Sequence, residues 1–413
     1  MMMVPGTAML LTACLSGAPG TPAAFPAGDA AELGLDAPAL AALLEEAKTN
    51  GTDVLVVVKN GKQVLEWHAP GGDGPIETMS VTKSVVALGL GRLMEQGKLR
   101  SMEEPLHTFF PEWNQGRKKD INLRHLLAHT SGLQSDRTTH PEIQQAPDRV
   151  KLALAAELTT TPGTAFFYNN KAANLLPAII QKLSGKRADK FLTEEVFKPL
   201  GIKDIRWELD QAGNPQGMAG LSMRGVDLAR VGVLVADGGL WGGKQLIHKT
   251  WMAESMQPGQ GFNPHCGLMW WLNPEWRRVT LTDDAFGAWK AAGMDPDILG
   301  RMQPFRGQTF AKGELKTAVE KRYGDDAVLT RWNRVLDQKG LTPGQVTVGP
   351  TQAVMARGWL GQSLVVVPKD KLVAVRLHKM REGDEDDDAR TTDWLQFEDR
   401  VMALLPKKDP PEQ

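Results

Sequence analysis

Ser80-Val81-Thr82-Lys83 places a hydroxyl and an amine three residues apart, at the head of a segment that reads as a buried helix. Positions i and i+3 share a helix face, so the amine can reach the hydroxyl. Val81, Val85, Leu88, Leu90 and Leu93 mark the apolar run, and Gly97 supplies a C-terminal stop. A lysine among such neighbours loses hydration, which disfavours its charged form. The neutral amine is then the base that a serine hydroxyl needs before it can attack. First-turn N–H groups favour an anion at the same place. Alone the tetrapeptide is weak, because so short a pattern recurs by chance and a lysine there can snorkel to water.

A second stretch strengthens it. In "TPGTAFFYNN", residues 161 to 170, Tyr168 stands in a Tyr-x-Asn with Asn170 after a Pro-Gly turn, and the chain has only two tyrosines. A phenol close to an ammonium favours phenolate and can relay a proton to a leaving group. An isolated tyrosine there would read as a loop cap; beside Ser-x-x-Lys the chemical reading is the stronger.

The elements that must position these groups come from both ends of the chain. "DAPALAALLEEAKTNG" predicts a helix capped by Asp36 and stopped at Gly51. Two β-rich runs, "DVLVVVKNG" and "KQVLEWHA", are joined by Asn60-Gly61, a hairpin signal. Far downstream, "WLGQSLVVVPKDKLVAVRLH" predicts two more strands turning at Pro368–Lys371, followed by the amphipathic "DWLQFEDRVMALL". The expected fold class is therefore α/β, an α+β sandwich: one antiparallel sheet built from both chain ends and flanked by terminal helices. A large helical insertion occupies about 100–345, and within it residues 281–345 read as a second insertion, helical with poor strand signals.

At 413 residues the chain can bury a sizeable core. A net charge of −1 gives no general basic field, so no nucleic-acid partner is expected. There is no uninterrupted apolar run of about 18 residues, the length a spanning helix needs. The N-terminus differs in composition. Residues 1–14 end in "LTAC", Leu11 to Cys14, which resembles the lipobox of bacterial lipoproteins, and 15–30 read as a flexible tether. Export follows as an expectation, with Cys14 as the lipidation site and a periplasmic or membrane-anchored location. The hydrolase domain is then expected over 31–405, with a disordered tail at 406–413. Cys266 is left without a thiol partner and reads as a small buried hydrophobe.

Taken together, "SVTKS", "LRHLLAHTSGL", "PGTAFFYNN", "LTEEVFKPLGI" and "GLSMRGVDLARVGVLVADGGLWGGKQLI" resemble the serine β-lactamase and penicillin-binding protein superfamily. The resemblance is to its class C-like branch of esterases and 6-aminohexanoate-oligomer hydrolases, and it runs over about residues 35 to 405. It implies that Ser80 is the acylated nucleophile, that Lys83 and Tyr168 are base and proton relay, and that Asn170 orients substrate or Lys83. The family's usual Lys-Thr-Gly or His-x-Gly is replaced by "MARGWLGQ". Gly358 takes the glycine position, where backbone must approach substrate closely. The Trp359 N–H would join the Ser80 N–H as the oxyanion hole. Arg357 stands where a cation for a substrate carboxylate is expected, although neighbouring strand residues point to opposite faces.

The implied reaction is hydrolysis of a small-molecule ester or amide through acyl-Ser80, without metal or cofactor. The alternatives are a β-lactamase or D-alanyl-D-alanine peptidase, and a catalytically silent binding protein of the same fold. His125 and His129 lack the Glu of H-E-x-x-H, so no metal is expected. "GGLWGGKQ" departs from a P-loop in ending with Gln, and no G-x-S-x-G elbow occurs. Trp270, Trp271, Trp276 and Trp289 read first as core packing and second as the lining of an apolar acyl pocket.

Overall fold

Asn60 and Gly61 both adopt positive φ (52° and 70°). They turn β1 (Val54–Lys59) back onto β2 (Lys62–His68) as an antiparallel hairpin. The computed structural model describes residues 25–135, 139–384 and 396–406. Cys14, most of the tether, most of the acidic run 382–390 and nearly all of the tail lie outside the described residues.

The main sheet has six strands, in the order β2, β1, Leu372–Leu377, Gln362–Val367, Thr351–Gly358 and Trp271–Pro274. All its neighbours are antiparallel, and Val54 pairs with Leu377, so the two ends of the chain are knitted together at its centre. β1 is buried on both faces. Val54, Val56 and Val58 enter the larger core, while Leu55 and Val57 enter a second core. This is the period-2 alternation of a strand with a layer on each side. The second core is closed by α1 (Ala37–Thr49) and the terminal helix Phe397–Met402. Asp36 caps α1 by accepting the Ala39 N–H, as its sequence predicts.

The larger core holds α2 (Val81–Glu95), buried from Val81 to Gly91 without a break. Its neighbours come very close: a Cβ on Gly91 would lie 2.6 Å from atoms of Ile247 and Trp251. Only glycine admits that approach, which locks the helix carrying the first motif.

The segment between Trp271–Pro274 and Thr351–Gly358 has its own core, containing Phe286, Trp289, Met302 and Trp332. It is more than helical. Arg277–Thr280 pairs with Thr309–Ala311 on one side and Gln345–Val348 on the other. Each strand has only three or four residues and little apolar content, too short for an alternating pattern to register. Among the described residues no helix is long and apolar enough to cross a membrane.

Candidate active site

Ser80 caps α2 at the point where the chain leaves Met79 at φ 49°. A positive φ is costly for a side chain of that size and persists only where surroundings hold it. Of the six non-glycine residues with positive φ among the described residues, Met79 precedes Ser80, His129 and Met269 line its crevice, and Leu360 lies in the turn after Gly358; the other two are turn residues. Met269 and His129 line the same crevice as Ser80, Lys83 and Tyr168. The strain is thus concentrated where the chemistry would occur.

Lys83, 2% exposed, donates to Ser80 Oγ at 2.9 Å and to the Met218 carbonyl at 2.8 Å. Burial lowers its pKa to about 7, so a large share of the amine is neutral at neutral pH. Met218 is itself fixed: Asn174 Oδ1 accepts the N–H groups of Gly217 (2.9 Å) and Met218 (3.1 Å). Asn174 belongs to the helix Asn170–Ser184, which also packs against α2. One helix therefore aims the acceptor that aims the amine.

Tyr168 precedes the N-cap of that helix, Asn169. The Tyr168 side chain is partly exposed and lines the same crevice as Ser80, and burial pushes the pKa of its hydroxyl up to about 12, against an opposing pull from Ser80. The Lys83 ammonium lies 4.9 Å from the ring centroid. Trp271 stacks on the ring with centroids 6.0 Å apart, and His129 approaches to 4.7 Å. His129 is buried and kept neutral, its pKa lowered to about 3 first by burial and then by Lys83. Its Nδ1 accepts the Asn169 N–H at 3.1 Å. It acts as a fixed neutral wall that holds the Tyr168 segment. Among the described residues no group of three or more metal-ligating side chains converges.

The strand Thr351–Gly358 brings its last residue against the nucleophile. A Cβ on Gly358 would lie 2.6 Å from the Thr78 carbonyl and 3.0 Å from the Ser80 nitrogen. The Trp359 amide follows directly in the chain, which then turns through Leu360 at φ 62°. Arg376 secures this turn from inside the sheet by donating to the carbonyls of Leu360 (2.9 Å) and Gly361 (2.7 Å).

Two further residues singled out in the sequence fall differently. Arg357 borders the crevice, yet its Nη2 is engaged by Glu398 of the terminal helix. Asn170 opens the helix after Tyr168, with Oδ1 buried and unpartnered. Lys83 is anchored by Met218 and not by Asn170. Trp289 is a core residue, Trp270 is buried yet lines the crevice together with Trp271, and Trp276 is half-exposed. Cys266 also faces the crevice, its thiol pushed up to about 12 by burial and so protonated. Sequence reasoning missed Asn174, Met218 and Arg376.

Residues 39–397 match the family model Beta-lactamase. The chain belongs to the beta-lactamase family. Protein flp of Staphylococcus aureus (strain MW2) is 25% identical over 199 residues, which span 44% of this chain and only 40% of that protein. Two solved structures share the fold. A candidate beta-lactamase from Bacteroides dorei DSM 17855 has a TM-score of 0.62 at 17% identity, covering 90% of this chain and 99% of that one. A candidate 6-aminohexanoate-dimer hydrolase from Bacillus anthracis has a TM-score of 0.58 at 18% identity, covering 88% and 83%. The antiparallel sheet built from both chain ends, with helices packed on both faces, is the architecture of these beta-lactamase-fold proteins.

Proposed function

We propose that this family member is a serine hydrolase that cleaves an ester or amide through an acyl-Ser80 intermediate. The observation that carries the reading is the buried amine of Lys83, 2.9 Å from Ser80 Oγ and with its pKa lowered to about 7. Neutral Lys83 takes the Ser80 proton as Oγ bonds to the substrate carbonyl carbon. The resulting oxyanion is held by the N–H groups of Ser80 and Trp359, an arrangement in which one donor is typically worth about 10²–10³ in rate. Collapse of the intermediate expels the alcohol or amine, which takes a proton delivered through Lys83 and Tyr168. Water then releases the acyl group by the reverse sequence, restoring the Ser80 hydroxyl.

The division of labour follows from the two shifts. Lys83 can be neutral near neutrality and is suited to be the base, while Tyr168 keeps its proton and is suited to donate. Engagement of Arg357 by Glu398 leaves the position beside Gly358 without a free cation, which disfavours β-lactam and D-alanyl-D-alanine substrates. Steady-state hydrolysis of p-nitrophenyl butyrate tests the reading: turnover should vanish in Ser80→Ala. Equal turnover by the variant would place the reaction elsewhere.

A further inference from the structure

We infer that Asn174 is a positioning residue for the reaction: its amide holds an uncharged carbonyl, that of Met218, against the Lys83 amine. The inference rests on the reading of Lys83 as the base. Lys83 donates to that carbonyl at 2.8 Å, and Asn174 Oδ1 accepts the N–H groups of Gly217 and Met218 at 2.9 and 3.1 Å. Gly217 lies so close to the Asn174 helix that a Cβ there would fall 2.1 Å from the Ala173 carbonyl. Farther along, Glu77 Oε1 accepts the Gly220 N–H at 3.0 Å and Thr82 Oγ1 the Leu221 N–H at 3.4 Å. Side chains from three places in the chain thus occupy four N–H groups of the segment 217–221, and the Met218 carbonyl is left to the amine.

The choice of an amide is informative. Asn174 is 2% exposed, and its Nδ2 is buried without a hydrogen-bond partner. The bonds that fix the segment use only the oxygen. An aspartate of the same shape could make both, more strongly because its oxygen is charged, and would leave no idle donor. Hydrogen bonding therefore does not select asparagine; charge does. A carboxylate here would stand one residue from the carbonyl that holds Lys83 and would favour the ammonium over the amine. Burying that carboxylate is costly alone, but the ammonium it creates would offset the cost. The fold could bear such a pair, whereas the base could not.

The surroundings keep to the same rule. None of the residues lining the Ser80 crevice is a carboxylate, and the titratable groups that share it with Lys83 are His129, Tyr168, Cys266 and Arg357. His129 is neutral, Tyr168 and Cys266 keep their protons, and Arg357 is engaged by Glu398. Glu77, the acid that touches the segment, is turned to the Gly220 N–H. Burial thus acts on Lys83 with no acid to restore its charge.

The test reads Lys83 directly, by NMR titration of protein isotope-labelled at lysine Cε, with the Lys83 signal identified by its loss in Lys83→Met. In Asn174→Asp the Lys83 midpoint is expected to rise by about one pH unit or more. The kcat/KM limb for p-nitrophenyl butyrate should move with it, so that activity falls about five- to tenfold at neutral pH and recovers at higher pH. In Asn174→Ala the midpoint should stay near that of the wild type, while kcat falls about tenfold at every pH with KM nearly unchanged. Circular dichroism checks that both variants fold. An unmoved midpoint in folded Asn174→Asp, or full kcat in Asn174→Ala, would overturn the role; if the aspartate variant does not fold, the alanine variant decides. Fluorophosphonate labelling of Ser80 separates the two claims, because the titration needs no turnover. A raised midpoint without labelling of the wild type would sink the hydrolase alone, and labelling with an unmoved midpoint the role of Asn174 alone.

Discussion

Arg376 holds the Leu360 carbonyl at 2.9 Å, in the turn that leads into the neighbouring strand Gln362–Val367, although neither residue touches the nucleophile. Nη1 also takes the Gly361 carbonyl, and Nε is anchored on Thr52 Oγ1 at 2.9 Å. Burial lowers the pKa of Arg376 to about 9, which still leaves it charged at neutral pH. A fixed charge thus grips the carbonyl side of the turn that follows Trp359, whose N–H is the proposed second oxyanion donor. Arg376→Met is expected to lower kcat for p-nitrophenyl butyrate by about 10- to 100-fold with KM nearly unchanged. A rise in KM alone would show that the turn binds substrate without stabilising the transition state.

The base sets the pH profile. Because Lys83 must be neutral to accept the Ser80 proton, kcat/KM should rise with pH along a limb centred near 7. Tyr168, pushed up to about 12, should add no falling limb in the accessible range. A profile of initial rates checks both. A limb near the carboxylate range would point to a different base.

Lys83 should also cost stability. Its pKa is 10.5 unfolded and about 7 folded, so between these values the unfolded chain binds more protons and stability rises with pH. Below about 7 both states are protonated and the full penalty stands, on the order of a few kcal/mol before its two hydrogen bonds offset part of it. Lys83→Met is expected to be inactive yet to melt higher than wild type, with the gap widest below neutral pH and closing as pH rises. Thermal unfolding at several pH values reads this directly, and a lower melting point across the range would contradict it.

Gly358 is constrained by contact. The added methyl of Gly358→Ala would meet the Thr78 carbonyl at 2.6 Å and crowd the Ser80 nitrogen. Neither backbone atom can yield without moving Ser80. Activity should fall by about 10² or more, while circular dichroism and the melting point show a folded protein. Unchanged turnover would mean that the two segments are farther apart than the structure places them.

Much of this arrangement was legible in the sequence. Asn60-Gly61, the β-rich run of β1 and the capped α1 each announce themselves through local chemistry, and the sheet follows from their pairing with the last strands. Ser80, Lys83 and Tyr168 were readable because scarce side chains stood at telling spacings, and the structure brings them into one crevice. The supports were not. Lys83 is aimed by a backbone carbonyl, that of Met218, and a carbonyl has no residue type to betray it. Asn174 looked like one polar position in an amphipathic helix. Arg376 left a single signal, a charge inside the apolar strand "LVAVRL", with nothing to say what it held. The short inserted strands hid because each contributes only one or two apolar side chains to its core.

The central claim is that Ser80 is an activated nucleophile. Intact mass spectrometry of the purified protein and of Ser80→Ala, each treated with a fluorophosphonate, tests it most directly. The account predicts one stoichiometric adduct on the wild type, formed faster as pH rises through about 7, and none on Ser80→Ala. An unmodified wild type, or an adduct that persists in Ser80→Ala, would contradict it.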